Sequence, residues 1–189
     1  MKRPDDFHLI ARFMQGDPAA FEEIVRAYQD RIYTLCRHLL GDRHDAEDAA
    51  QDTFVKAYRN LDDFKPEASL YTWLYRIAVN TCIDYRRKPF FESLFKRSGE
   101  GEELTIDPAA DSPSPERLYE SKEVGRALQK SLKRLSPKLR TVLILKEVEG
   151  LSYEEIAAVL EVSTGTVKSR ISRAREEIRA LMKKFTEQT

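Results

Sequence analysis

The sequence predicts an all-α protein of two small helical bundles joined by a flexible acidic linker. Three observations carry this. Apolar residues recur at i, i+3/i+4 spacing along most of the chain, and no strand-like alternation persists. Glycines and cap-plus-proline pairs separate the periodic runs. Between residues 90 and 113 the periodicity lapses into an acidic stretch rich in Gly, Pro and Ser.

A first helix is expected over about 6–15, stopped by Gly16. Asp17-Pro18 then reads as an N-cap followed by an N1 proline. The next helix carries Phe21, Ile24, Val25, Tyr28, Ile32, Leu35, Cys36 and Leu39 on one stripe and ends at Gly41. A third, about 44–61, turns Ala46, Ala50, Phe54, Ala57 and Leu61 inward. A break at 62–68 contains Pro66. The fourth helix, about 70–88, buries Leu70, Trp73, Leu74, Ile77, Ala78 and Thr81, and Pro89 marks its exit. These elements make a first domain over 1–92. Residues 93–113 cannot bury enough apolar surface to order themselves and form the linker. The second domain, 114–189, opens at Ser114-Pro115 with Leu118, Leu128, Leu132 and Leu135 inward. Ser136-Pro137 starts a helix holding Leu139, Val142, Leu143 and Leu145, which stops at Gly150. Ser152-Tyr153-Glu154-Glu155 is a capping box opening a short helix to Leu160. Ser163 caps a last helix to about Lys184.

Hydrophobic residues are 41% and charged residues 34% of the chain, which fits a soluble globular protein. No apolar run approaches the ~20 residues of a membrane span, and the first residues lack the apolar core of a signal peptide. The expected compartment is the cytoplasm. Cys36 and Cys82 sit in helical patterns and read as buried small hydrophobes. Formal net charge is zero, but its distribution is uneven. Residues 1–97 balance, 98–123 carry net −6, and 124–189 carry net +6. A polyanion responds to local fields within a Debye length, not to the total.

The sharpest motif is residues 152–175, SYEEIAAVLEVSTGTVKSRISRAR: a short helix, a tight turn and a longer basic helix. Ile156, Ala157 and Leu160 face inward on the first helix. Val167, Ile171, Ala174, Ile178 and Leu181 do so on the second. With Val167 at zero and ~100° per residue, Lys168, Ser172, Ser169 and Arg173 fall near about 100°, 140°, 200° and 240°. They point away from the core, with Arg170 and Arg175 on the flanks. This suits a helix in the major groove of DNA. Thr164 and Thr166, at the helix start, can offer hydroxyl and N–H groups to a phosphate. Glu161 stands at the turn position that often holds glycine, so a left-handed conformation there costs roughly a kcal/mol.

Two faces of the first domain are candidates for partners. On the third helix Asp48, Gln51, Asp52, Val55 and Arg59 share one face. It reads as a docking surface or a solvated face, and periodicity alone favours the second. The fourth helix interleaves Tyr71, Trp73, Tyr75, Arg76, Asn80, Tyr85, Arg86, Arg87 and Lys88. Leu70 and Leu74 serve the core, so Tyr71 and Tyr75 are not all expected to face it. Aromatics beside cations suit stacking on unpaired bases, ~1–3 kcal/mol each; plain packing is the other reading.

Together these segments resemble the sigma-70 family, specifically its extracytoplasmic-function group (group 4). Residues 45–61, DAEDAAQDTFVKAYRNL, resemble region 2.2, which binds the clamp helices of the polymerase β′ subunit. Residues 64–88, FKPEASLYTWLYRIAVNTCIDYRRK, resemble regions 2.3–2.4, which melt and read the −10 element. Residues 151–178 resemble region 4.2, which reads the −35 element. The resemblance implies a core-polymerase-binding set of Asp48, Gln51, Asp52 and Val55, with Phe54 in the same motif but read as packing. It implies a −10 set of Phe64, Ser69, Tyr71, Trp73, Tyr75, Arg76, Asn80, Arg86, Arg87 and Lys88. Asn80 with Phe64 and Ser69 would line a pocket for a flipped base. It implies a −35 set of Thr164, Thr166, Lys168, Ser169, Arg170, Ser172, Arg173 and Arg175. Pro66-Glu67 stands where the family often has glycine, which bears on the −10 loop. Implied partners are core RNA polymerase, through its β′ clamp helices and β flap, promoter DNA and an anti-sigma factor. The acidic linker would thread a basic polymerase channel, as region 3.2 does.

Two other functions have signatures to look for. A stand-alone helix-turn-helix regulator would bind palindromic operator DNA as a dimer without polymerase. An enzyme would show a catalytic motif, and no HExxH, GxGxxG, P-loop, nucleophile elbow or metal-spaced Cys/His set is present. His8, His38 and His44 read by default as surface or helix-terminal residues. No catalytic residue, metal or cofactor is assigned, and no membrane insertion is expected.

Overall fold

The computed structural model describes residues 6–65, 69–87, 125, 127–128 and 130–186. Among them every regular element is helical. The chain divides into two compact units, residues 1–101 with 157–161 and residues 102–156 with 162–189. The expected linker, Ser114-Pro115, Leu118, Pro66-Glu67 and Lys88 lie outside the described residues.

The first unit is built from α1 (Asp6–Met14), α2 (Pro18–Leu40), α3 (Arg43–Asn60) and α4 (Leu70–Arg87). A single 3-10 turn, Leu61–Asp63, follows α3. The boundaries follow from local chemistry. Asp17 accepts from the Ala19 amide at 3.0 Å, and Pro18 supplies the first helical φ of α2. Gly41 ends α2 at φ +82°, where only glycine avoids a steric penalty. Asp42 then caps α3 through the Asp45 amide at 2.9 Å.

Helix α2 packs on α1, α3 and α4, and α3 packs on α4. Ile24, Ile32, Leu35, Ala46, Ala57, Leu61 and Leu74 are all fully buried in this interior. Val25, Phe54, Trp73 and Ile77, expected inward, are only half-buried. Phe54, Trp73 and Ile77 lie at the edges of their stripes, where the arc of the helix leaves the neighbour. Cys36 on α2 and Cys82 on α4 are buried free thiols in mutual contact. The contact and burial push the Cys82 thiol far above the usual range.

The second unit contains helical residues at 130–134, then α5 (Pro137–Glu147), the start of α6 (Tyr153–Leu160) and α7 (Thr164–Thr186). Helix α5 packs on α7. Leu135, Leu143 and Ala174 form a buried cluster, lined by Leu132, Leu139 and Ile178. Arg140 is buried and donates to the Lys133 carbonyl at 2.9 Å. A cation at that helix end complements its dipole. Gly150 takes φ +67° between α5 and α6, the left-handed conformation its position as a stop requires.

Candidate nucleic-acid interface

Helix α6, a short turn and α7 form the helix-turn-helix. Ser152 and Glu155 exchange the two bonds of a capping box. The Glu155 amide donates to Ser152 Oγ at 3.1 Å, and the Ser152 amide to Glu155 Oε2 at 2.9 Å. That backbone bond holds the Glu155 carboxyl below its ordinary range. Glu161 takes φ +53°, the only non-glycine residue in the left-handed region among those described. The turn keeps its shape and a glutamate bears the strain. Ser163 Oγ accepts the Thr166 amide at 3.1 Å and starts α7.

Val167, Ile171 and Ala174 are buried beneath α7, with Ile156 and Val159 of α6. Val159 was not among the residues expected inward; Ala157 and Leu160 were, and both are half-buried. The residues opposite that stripe, Lys168, Ser169, Ser172 and Arg173, are exposed. Thr164 is exposed, but the Thr166 hydroxyl is engaged with Ser163 Oγ at 2.9 Å. Arg170 is half-buried. Arg175 is not a free flank cation: its guanidinium donates to Glu147 Oε1 from Nε at 3.1 Å and from Nη2 at 2.6 Å.

One cationic cluster went unread in the sequence. Lys146 Nζ lies 5.1 Å and Lys168 Nζ 5.9 Å from the centroid of the Tyr153 ring. Lys146 also donates to the Leu151 carbonyl at 3.1 Å. Lys146 belongs to α5, Tyr153 to α6 and Lys168 to α7, so no single-helix periodicity could join them.

In the first unit α4 presents a narrower face than expected. Tyr71 is 5% and Tyr75 0% exposed. Their rings contact each other at 4.1 Å, and Arg31 of α2 lies 5.9 Å from the Tyr71 ring. Two tyrosines so placed cannot stack on a base, so the display expected of them is corrected to packing. The reason is that α4 meets both α2 and α3, and two neighbours bury a wider arc than one. Phe64 is 6% exposed and packs edge-on against Trp73 at 5.5 Å. Ser69 is an N-cap: its Oγ accepts the Thr72 amide at 3.1 Å and pairs with Thr72 Oγ1 at 2.7 Å.

What remains outward is one row. Trp73 and Arg76 are half-buried and Asn80 exposed, at i, i+3 and i+7. Arg86 is exposed beyond them; Arg87 is helical, its side chain outside the described residues. The lower half of α4 is tied to α3. Tyr85 donates to Asp52 Oδ2 at 2.8 Å, and Lys56 Nζ lies 3.0 Å from Thr81 Oγ1 and 3.7 Å from an Asp84 oxygen. Partial burial and the Asp52 carboxylate raise the Tyr85 phenol well above its usual value.

On α3, Asp48, Gln51, Asp52 and Val55 are exposed on one face, and Val55 retains 47% of its surface. This face borders an open groove between α2 and α3. Gln29, Asp30 and Tyr33 line it from α2, and Gln51, Phe54 and Val55 from α3. The sequence reading missed the α2 wall. Phe54, read as packing, is half-buried and lines the groove. A groove lined by both apolar and acidic or amide side chains suits a partner helix bearing basic and aliphatic side chains.

The sequence profile of Sigma-70 region 2 matches residues 24–89, and that of Sigma-70 region 4 matches residues 125–178. The chain is 41% identical over 173 residues to the ECF RNA polymerase sigma factor SigW of Bacillus subtilis, covering 90% of this chain and 92% of that one. Among solved structures it resembles CnrH in complex with the cytosolic domain of CnrY. The TM-score is 0.67 at 30% identity, over 94% of this chain and 97% of that one. It also resembles the sigma factor RpoE in complex with the anti-sigma factor NepR from Bartonella quintana. There the TM-score is 0.65 at 27% identity, over 86% and 96% of the two chains.

Proposed function

The chain belongs to the extracytoplasmic-function group of the sigma-70 family, and from that premise we propose how its two units divide the work of promoter recognition. It is an alternative sigma factor, which directs core RNA polymerase to promoters and initiates transcription. A stand-alone operator-binding regulator is not favoured, because the chain matches region 2 as well as region 4.

Helix α7 reads the −35 element from the major groove. The single observation that carries this is the exposure of Lys168, Ser169, Ser172 and Arg173 opposite a stripe buried to within 2% at Val167, Ile171 and Ala174. Hydroxyls and cations are then held on a rigid element at the spacing of base edges and flanking phosphates. Thr164 lies at the phosphate end, with Arg170 at one wall.

In the first unit the row Trp73, Arg76 and Asn80 faces the −10 element, with Arg86 further along α4 and off that row. Phe64 and Ser69 contribute by holding Trp73 and the start of α4. Asn80 offers donor and acceptor to one unpaired base, and extrusion of that base costs a few kcal/mol. Asp48, Gln51, Val55 and the adjoining α2–α3 groove dock on the β′ clamp helices, and the second unit meets the β flap. Asp52 joins that set while also bonding Tyr85. The domain limits we assign are 1–92 and 114–189, with the linker in a basic channel of the polymerase. No covalent chemistry is assigned to the chain, which works in the cytoplasm with the polymerase. RpoE was solved with an anti-sigma factor, and we assign this chain a partner of the same kind.

The test is transcription in vitro by core polymerase loaded with this chain. Lys168→Ala and Arg173→Ala are each expected to lower initiation from a matched promoter by about 1–3 kcal/mol in binding, with less effect on a promoter altered at −35. Unchanged promoter selectivity in both variants would remove these residues from the readout.

A further inference from the structure

We propose that Glu147 limits the affinity of the −35 interface by withholding the Arg175 guanidinium from DNA phosphates. The inference rests on α7 being the −35 reader. Lys168, Ser172 and Arg175 stand at i, i+4 and i+7, a single row along α7. Lys168 and Ser172 are exposed. The side chains of Arg175 and Glu147 retain 50% and 47% of their surface, so the pair sits at the open edge of the same face.

Arg175 spends its Nε–Nη2 edge on one carboxylate oxygen, at 3.1 and 2.6 Å. That edge is one of the two a guanidinium can offer to a phosphate. Glu147, the last residue of α5, therefore stands where a phosphate oxygen would stand. It also cancels the charge. An arginine paired this way adds nothing to the count of cations that displace counterions from DNA. Phosphate contacts carry no sequence information directly. Glu147 therefore acts on promoter and non-promoter duplex alike, and leaves the base-facing Lys168, Ser169, Ser172 and Arg173 as they are. It sets how tightly the unit holds DNA, not which sequence it prefers.

The experiment measures binding of the full chain, in complex with core polymerase, to a promoter duplex and to the same duplex with a scrambled −35 element. Salt is titrated for wild type, Glu147→Gln and the double variant Glu147→Gln/Arg175→Ala. Glutamine keeps the shape of glutamate, and circular dichroism checks that each variant is folded. Glu147→Gln is expected to bind both duplexes more tightly and to steepen the slope of log K against log salt by about 0.9, one phosphate. The ratio between the duplexes stays that of wild type. The double variant, neutral at this place again, returns to the wild-type slope. An unchanged slope in Glu147→Gln overturns the proposal. So does a double variant with a shallower slope than wild type, because Arg175 would then contact phosphate in spite of Glu147. A changed duplex ratio in Glu147→Gln overturns it as well, since Glu147 would be positioning a base-reading group. If wild type fails to distinguish the two duplexes, the reading of α7 has failed instead.

Discussion

Asp6 and Tyr28 are 4% and 2% exposed, and the Tyr28 hydroxyl donates to both carboxylate oxygens of Asp6 at 2.9 and 2.8 Å. This bond fastens α1 to α2. Tyr28→Phe keeps the ring and takes one donor from a buried carboxylate, so the first unit should lose about 1–3 kcal/mol. The urea midpoint reads this, and a midpoint within error of wild type would contradict it. The cysteines give a second prediction at this scale. Cys82, raised by its contact with Cys36 and then by burial, holds almost no thiolate at neutral pH. Neither thiol should react with a soluble disulfide reagent in the native chain, while both react in denaturant. Native labelling at the rate of a free thiol would overturn this. The sequence conveyed that both cysteines are buried, because each lies on an apolar stripe. It could not convey that they touch, since one is on α2 and the other on α4. Glu147–Arg175 and Tyr85–Asp52 were invisible for the same reason: helical periodicity reports a residue's direction from its own axis and nothing about the facing helix.

At the scale of the element, capping chemistry located the helix ends well. Asp17-Pro18, Ser136-Pro137, Ser152 with Glu155, and Ser163 all cap where expected, because each bond joins atoms two or three residues apart. The error at Tyr71 and Tyr75 came from counting one buried face on a helix that has two neighbours. The capping box of α6 carries a pH signature. Glu155 has its folded pKa lowered, by the Ser152 backbone bond first. A depressed carboxylate adds stability above its unfolded pKa, ~4.3, and loses it as pH falls through the folded value. Thermal unfolding should therefore show wild type above Glu155→Gln at neutral pH, with the gap closing from about pH 5 downward. A gap that widens in acid would reverse the sign and dismiss the carboxylate. Ser163→Ala removes the cap of α7 at a cost of about 0.5–2 kcal/mol. It should weaken −35 binding without touching a base-facing side chain, because it loosens the first turn where Thr164 and Thr166 sit.

The whole molecule places its two candidate DNA faces on separate units, and this separation has a kinetic consequence. In the proposed reading Lys168 and its neighbours face duplex DNA, whose bases stay paired, so they act when the closed complex forms. Asn80, in the same proposal, faces a base that must leave the stack, so it acts when the strands separate. Lys168→Ala should lower closed-complex affinity and leave the closed-to-open equilibrium near wild type. Asn80→Ala should do the reverse. Substitutions that share no partner add in free energy within ~0.5 kcal/mol, so the double variant should show both defects at their single-variant sizes. Competition binding at low temperature reads the first step and permanganate footprinting of unpaired thymines reads the second. Equal defects of Asn80→Ala in both assays would mean that it supports duplex binding. A double variant far from additive would mean that the two units communicate through the polymerase when they engage the promoter. The charge layout bears on the same division. The net +6 of residues 124–189 lies in the part proposed to meet duplex phosphate, while 1–97 are balanced. The closed-complex step should therefore carry most of this chain's contribution to salt dependence, and the opening step little of it.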